Sequence, residues 1–379
     1  MMRVAYLVAD PGVPVFGTKG ASVHVQEIVR AFRARGDDVT VYATRRGDHV
    51  PSDLADVRVV VQRVQGAGAE QRERGIRDAV AALTAAIVAD GCDLVYERFS
   101  LFSAGGADVA DALGAPVVLE VNAPLVEEQR RHRELIDEQA AVAIAGRALQ
   151  RADVTACVSE PVAVWAREHG ASRPLVAPNG VNTDRVRPPL VRRGDDAPPT
   201  VGFVGTLKPW HGVDVLVDAM AELARRGRRA RLLVVGDGPQ RADLEAQAQS
   251  LGVDAGFTGA VAPEDVPAVL QRLDIGVAPY RAADDYFSPL KVSEYLAAGL
   301  PVVGSRVGQV PSLVRHGRSG LLTAPGDPRA LADALQMLVD DTALCRRMAD
   351  QARQQAVAEH GWGGVLASIL GGVPTAVAS

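Results

Sequence analysis

The chain has 379 residues, 47% hydrophobic and 23% charged, with a formal net charge of −5. That length exceeds what one typical hydrophobic core supports, so two domains are expected. The acidic balance argues against nucleic acid or a strongly anionic membrane as the main partner. Cys92, Cys157 and Cys345 are odd in number, far apart and without C-x-x-C spacing, which predicts reduced thiols in a cytoplasmic protein. No run of ~18 apolar residues is present to span a membrane, while peripheral membrane contact stays open.

The N-terminal apolar run stops at Asp10 and Pro11 and predicts a first strand at 4–8 rather than a signal peptide. The loop Gly17-Thr18-Lys19-Gly20-Ala21-Ser22 follows. Val25, Ile28, Val29 and Phe32 then recur at helical spacing up to Gly36. This places His24 on the first helical turn and lets Gly20 admit a close backbone approach. Further β-branched runs at 39–42, 57–61, 94–96, 116–120, 154–158 and 174–177 alternate with helical patterns, the signature of βαβ units and a parallel sheet. Tyr96-Glu97-Arg98 closes one strand, so Arg98 faces an anionic group or pairs with Glu97 or Glu120. The mixed-charge run at 127–138 reads as a solvated helical face. Around 185–199 the text becomes RVRPPLVRRGDDAPP, too rich in proline and charge for a buried element, and reads as a linker.

The alternation restarts with strands at 201–204, 232–235, 257–258, 275–278 and 301–303. Helices begin near Gly212, Pro239, Pro263, Ser288 and Pro311. Two more span 328–340, opened by Pro328 after Asp327, and 342–359, and a last one near 362–370 crosses back onto the first domain. The predicted domains are 1–185, a linker at 186–199, 200–355, and a C-terminal helical segment at 356–379. The fold class is α/β, two Rossmann-like doubly wound domains facing a cleft, with ligands at strand C-terminal ends.

The 41 basic residues are 38 arginines and only three lysines, Lys19, Lys208 and Lys291. Each lysine sits in a short Gly- or Pro-marked loop between a strand pattern and a helical pattern, where α/β proteins bind anions on free helix N–H groups. The strongest local signal is Ser288-Pro289-Leu290-Lys291-Val292-Ser293-Glu294. Ser288 is a good N-cap and Pro289 a good first helical residue. The amides of Leu290 and Lys291 point to a diphosphate, and Glu294, on the same face, to a ribose diol. The loop Gly205-Thr206-Leu207-Lys208-Pro209-Trp210-His211-Gly212 adds Lys208 for phosphate, with Thr206 and His211 as donors. Trp210 is either a packing anchor or a stacking face. Gly236-Asp237-Gly238 follows a buried strand and by itself is a common turn.

Taken together, these motifs and Pro178-Asn179-Gly180-Val181, Phe257-Thr258-Gly259 and Gly299-Leu300-Pro301 stand in the order and spacing of a known family. The chain resembles the large retaining family 4 of glycosyltransferases, which has the GT-B fold. The resemblance implies a nucleotide-sugar co-substrate, UDP favoured, and an acceptor. It implies no metal and no other cofactor, because helix N-termini and basic side chains stabilise the departing diphosphate. Glu294 matches the second glutamate of the family's E-x7-E signature. The first falls at Tyr286, with Asp284 or Asp285 nearby to compensate. Tyr280 joins the donor side. The family's usual arginine and lysine fall at Thr206 and His211, with Lys208 and Lys291 replacing the charge. The family histidine falls at Asn122, which cannot act as a base, so the leaving phosphate takes the acceptor proton. His24, Lys19 and Gly20 line the acceptor side together with Arg98. A sugar-nucleotide 2-epimerase and a non-catalytic nucleotide-sugar sensor are the alternatives, and oligomeric state stays open.

Overall fold

The structure is a computed structural model, and it describes residues 1–132, 134–191, 197–282 and 289–373. Among these, short apolar runs form two wholly parallel sheets. The first contains β1 (Arg3–Val8), β2 (Asp38–Ala43), β3 (Val59–Val61), β4 (Leu94–Arg98), β5 (Val117–Val121), β6 (Val154–Cys157) and β7 (Pro174–Val176). The second contains β8 (Thr200–Val204), β9 (Arg231–Val235), β10 (Ala255–Phe257), β11 (Ile275–Ala278), β12 (Val302–Ser305) and β13 (Gly320–Thr323). Their orders are β3-β2-β1-β4-β5-β6-β7 and β10-β9-β8-β11-β12-β13. Both are doubly wound, so each sheet reverses direction beside its first strand. That leaves a crevice at the strand C-termini, between β1 and β4 in one and β8 and β11 in the other.

Two compact units result, Met1–Asn179 with Trp362–Ser379, and Gly180–Gly361. The division therefore precedes the proline-rich stretch instead of lying within 186–199. The physical reason is local. The amide of Val181 donates to the His360 carbonyl at 2.7 Å. The Arg353 guanidinium donates to the carbonyls of Thr183, Val186 and Ala297, tying residues 181–186 to the second unit. The chain returns to the first unit through helix Trp362–Leu370, which packs against helix Gly20–Ala34.

The second unit's core is apolar on both faces of its sheet. Phe203, Leu216, Met220 and Leu335 pack on one side, and Tyr295, Leu296, Val310 and Leu313 on the other. β13 is absent from the expected strands, because Gly320-Leu321-Leu322-Thr323 holds a single β-branched residue and too little pattern to register. Helix Leu290–Ala297 starts one residue later than Ser288-Pro289 predicts. Pro289 adopts an extended conformation, φ −78° and ψ 91°, and occupies the N-cap position. Ser288, Tyr286, Asp284 and Asp285 lie outside the described residues. Asp327 does cap helix Pro328–Asp340, accepting from the amides of Arg329 and Ala330.

Candidate functional site

The crevice of the second unit is built by three loops drawn tightly together. The Gly205 amide donates to the Val235 carbonyl at 2.9 Å, and the Leu207 amide to Asp237 at 2.9 Å. A Cβ on Gly236, whose φ is 136°, would stand 1.9 Å from the Gly205 carbonyl oxygen, so only glycine fits there. A Cβ on Gly238 would stand 2.5 Å from the Leu207 carbonyl oxygen, and the Asp237 carboxylate accepts from the Gly238 amide at 2.7 Å. The Arg281 amide donates to the Trp210 carbonyl, joining the loop after β11 to the same cluster. The Gly236–Gly238 turn is thus a spacer that lets two backbones touch. Its aspartate is committed to its own turn and to Arg241, 3.3 Å away.

Lys291 stands on the first turn of helix Leu290–Ala297, which is fixed to β8 by the Val204 amide donating to the Tyr295 hydroxyl at 2.8 Å. Its side chain is only 9% exposed. The ammonium lies 4.3 Å from the centre of the Phe203 ring and 5.0 Å from that of Tyr280, and has no hydrogen-bond partner among the described residues. Burial pulls its pKa down to about 7, only partly opposed by Glu294. A buried amine beside aromatic faces and a helix N-terminus, with no hydrogen bond among the described residues, is a group suited to an anion. Leu290 and Glu294 are half-buried on the same helix.

His211 ends the short turn Pro209–His211 and lies against Phe203, Tyr280 and Trp210, with ring centres 5.7, 5.5 and 6.0 Å away. Its Nδ1 bonds the Thr206 carbonyl. Burial, with the cations of Lys291 and Lys208, pulls its pKa down to about 4, against the effect of the Thr206 bond. The Nδ1 position of His211 is thus engaged by the loop's own backbone. Thr206 is exposed, and Lys208 lies 5.7 Å from the ring centre of Trp210, itself 50% exposed.

The first unit holds a second polar cluster, centred on Glu120. Tyr96 and Arg98 alternate along β4, Glu120 and Asn122 lie two apart on and just beyond β5, and Arg98 is in register with Glu120. Period-two geometry therefore turns all four toward one sheet face. The Tyr96 hydroxyl donates to Glu120 Oε2 at 2.9 Å, and Arg98 to Oε1 at 2.9 Å. The Asn122 amide nitrogen donates to the same Oε1. His24 Nε2 lies 2.7 Å from it, with Nδ1 2.7 Å from Asn179 Oδ1. Burial alone would push Glu120 up, but His24, Arg98 and Asn122 hold it at about 2. His24 is the fifth residue of its helix, past the first turn, and meets Trp362 edge-on at 4.7 Å. Arg98 resolves as the Glu120 partner, while Glu97 accepts from Ser103 and the Gly106 amide. Lys19 and Gly20 are exposed at the helix start, away from this cluster's hydrogen bonds.

Sequence reasoning brought Lys291, His211, Lys208, Tyr280 and the glycines into one crevice, and His24, Asn122 and Arg98 into another. It missed Phe203, Glu120 as the hub, and Trp362. The alternation on neighbouring strands was the available signal for Glu120. Among the described residues no group of three His, Cys, Asp or Glu side chains is placed to hold a metal ion, and no helix is long and apolar enough to cross a membrane.

Residues 18–185 match the profile of Glycosyltransferase Family 4, and residues 198–341 that of Glycosyl transferases group 1. The chain belongs to glycosyltransferase family 4. It is 35% identical over 210 residues to 2-deoxystreptamine glucosyltransferase of Streptomyces kanamyceticus, covering 52% of this chain and 54% of that one. It is 32% identical over 171 residues to alpha-D-kanosaminyltransferase of the same organism, covering 45% and 44%. This family 4 chain spans about half the length of the curated relatives it matches. Anabaena Alr3699/HepE, solved in complex with UDP, shares the fold with a TM-score of 0.74 at 20% identity, covering 98% of this chain and 99% of that one. Two Rossmann-like units in this order are the GT-B fold of family 4.

Proposed function

We propose that this family 4 chain is a retaining, metal-independent hexosyltransferase. It moves a sugar from a nucleotide diphosphate sugar, UDP-sugar before others, to a hydroxyl of a small natural-product acceptor. The carrying observation is Lys291, buried against Phe203 and Tyr280 with no hydrogen bond for its ammonium among the described residues. The diphosphate supplies one, and the free amides of Leu290 and Lys291 add donors. Charge grows on the departing phosphate as the glycosidic bond breaks, so these groups favour the transition state over the ground state. Lys208 stands at the rim of the same loop, and Glu294 takes the ribose hydroxyls. Asn122 gives its N–H to an ionised Glu120, which leaves the carbonyl oxygen to accept from a sugar hydroxyl. Among the described residues around Asn122 no side chain is set to take a proton, and the leaving phosphate receives the one from the acceptor. An aminoglycoside-like acceptor is suggested by the names of the two Streptomyces relatives.

A thermal-shift screen against UDP, GDP, dTDP and their sugars tests the donor. At 100 times its dissociation constant the right ligand adds ~2.7 kcal/mol. Lys291→Ala should lower turnover far more than it raises donor KM. NMR of the product should show the donor's anomeric configuration. Epimerisation at C2 without transfer, or tight binding without nucleotide release, would replace the transferase reading.

A further inference from the structure

The hydrogen bonding of His211 restricts what it can do in the crevice. The Thr206 carbonyl oxygen facing Nδ1 has no proton to give, so Nδ1 carries the ring's proton. The ring is neutral at physiological pH, because burial and the neighbouring lysine charges disfavour the imidazolium. Nε2 therefore carries a lone pair and no proton. No partner for Nε2 stands among the described residues. The ring packs on Phe203 and Tyr280, the same two rings that flank the Lys291 ammonium. A cation and a lone-pair acceptor thus share one aromatic wall. A phosphate oxygen is repelled by a lone pair, whereas a hydroxyl bonds it.

We infer that His211 accepts a hydrogen bond from a hydroxyl of the bound nucleotide sugar, through Nε2, and takes no part in holding the diphosphate. This rests on the nucleotide-sugar reading of the crevice. The hydroxyl belongs to the ribose or to the sugar being transferred. The phosphate-binding charge is left to the lysines, and His211 reads a part of the donor that pyrophosphate lacks.

Calorimetry on the full chain tests this with wild type, His211→Phe and His211→Gln, against UDP-glucose, UDP, GDP-mannose, GDP and inorganic pyrophosphate. His211→Phe keeps the ring packing and removes both nitrogens. It should weaken nucleotide-sugar binding about three- to tenfold, the worth of one hydrogen bond, and leave pyrophosphate binding unchanged. His211→Gln should recover part of the loss, since its amide offers an N–H to Thr206 and a carbonyl oxygen in place of Nε2. A loss confined to the nucleotide sugars assigns the transferred sugar. A loss shared by the nucleoside diphosphates but not by pyrophosphate assigns the ribose. An equal loss for pyrophosphate, or no loss for any ligand, overturns the inference while leaving the nucleotide-sugar reading standing. Failure of wild type to bind any of the five nucleotide or phosphate ligands overturns both. Should His211→Phe not melt cooperatively, His211→Leu serves in its place with the same expectations.

Discussion

A lysine nine-tenths buried with no hydrogen bond among the described residues costs stability, and Lys291 is such a residue. Its pKa in the folded chain is about 7, against 10.5 in the open. The unfolded chain therefore holds more protons between those values. Stability rises with pH across that window, and below about pH 7 the full penalty is present. Lys291→Met should accordingly stabilise the ligand-free protein at neutral pH, by roughly 2–4 kcal/mol. Urea unfolding at pH 7 and pH 10 checks this. The gain should shrink at the higher pH, and an unchanged or lower stability at pH 7 would contradict it. Lys291 was legible in the sequence because lysine is so rare in this chain. That its ammonium lies against the Phe203 ring was not, because Phe203 comes from β8, far off in the sequence.

At the scale of elements, helix Trp362–Leu370 decides how the first unit is closed. Trp362, Leu366 and Ile369 are buried, and Trp362 packs on the ring of His24. Removing that indole leaves a cavity beside the buried contact of His24 with Glu120. Trp362→Ala should destabilise the first unit by about 3 kcal/mol, read from the denaturant midpoint of its transition. Its apolar spacing made this helix predictable, as Asp327-Pro328 did for the helix that follows it. Less legible was helix Leu290–Ala297, where Ser288-Pro289 reads as N-cap and first residue. The extended backbone of Pro289 moves the start by one position. The amides nearest Lys291 are still those of the first turn.

At the scale of the molecule, the two units differ in continuity. Gly180–Gly361 is one uninterrupted stretch with its own sheet and core, whereas the first unit needs Trp362–Ser379 from the far end of the chain. A fragment of residues 180–361 should therefore unfold cooperatively alone and bind nucleoside diphosphate with affinity comparable to the whole chain. Circular dichroism and calorimetry on that fragment test it. A fragment that folds but does not bind would move the diphosphate site out of the second unit's crevice. Residues 1–179 alone should be markedly less stable, since the face that helix Trp362–Leu370 covers would be open to water.

The sequence by itself determined the alternation of short apolar runs and helices, hence two parallel sheets, and marked the glycine loops and rare lysines at strand ends. Those are local properties, set by side-chain period and backbone freedom over a few residues. Only the tertiary structure decided that Lys291 is buried with no hydrogen bond among the described residues and that the His211 proton is held by Thr206. It also decided that Glu120 gathers His24, Arg98 and Asn122, and that the chain divides at Asn179. Each of these depends on groups distant in the chain, or on which atom of a ring faces a carbonyl. Desolvation and hydrogen-bond direction come into being only when such groups are packed together.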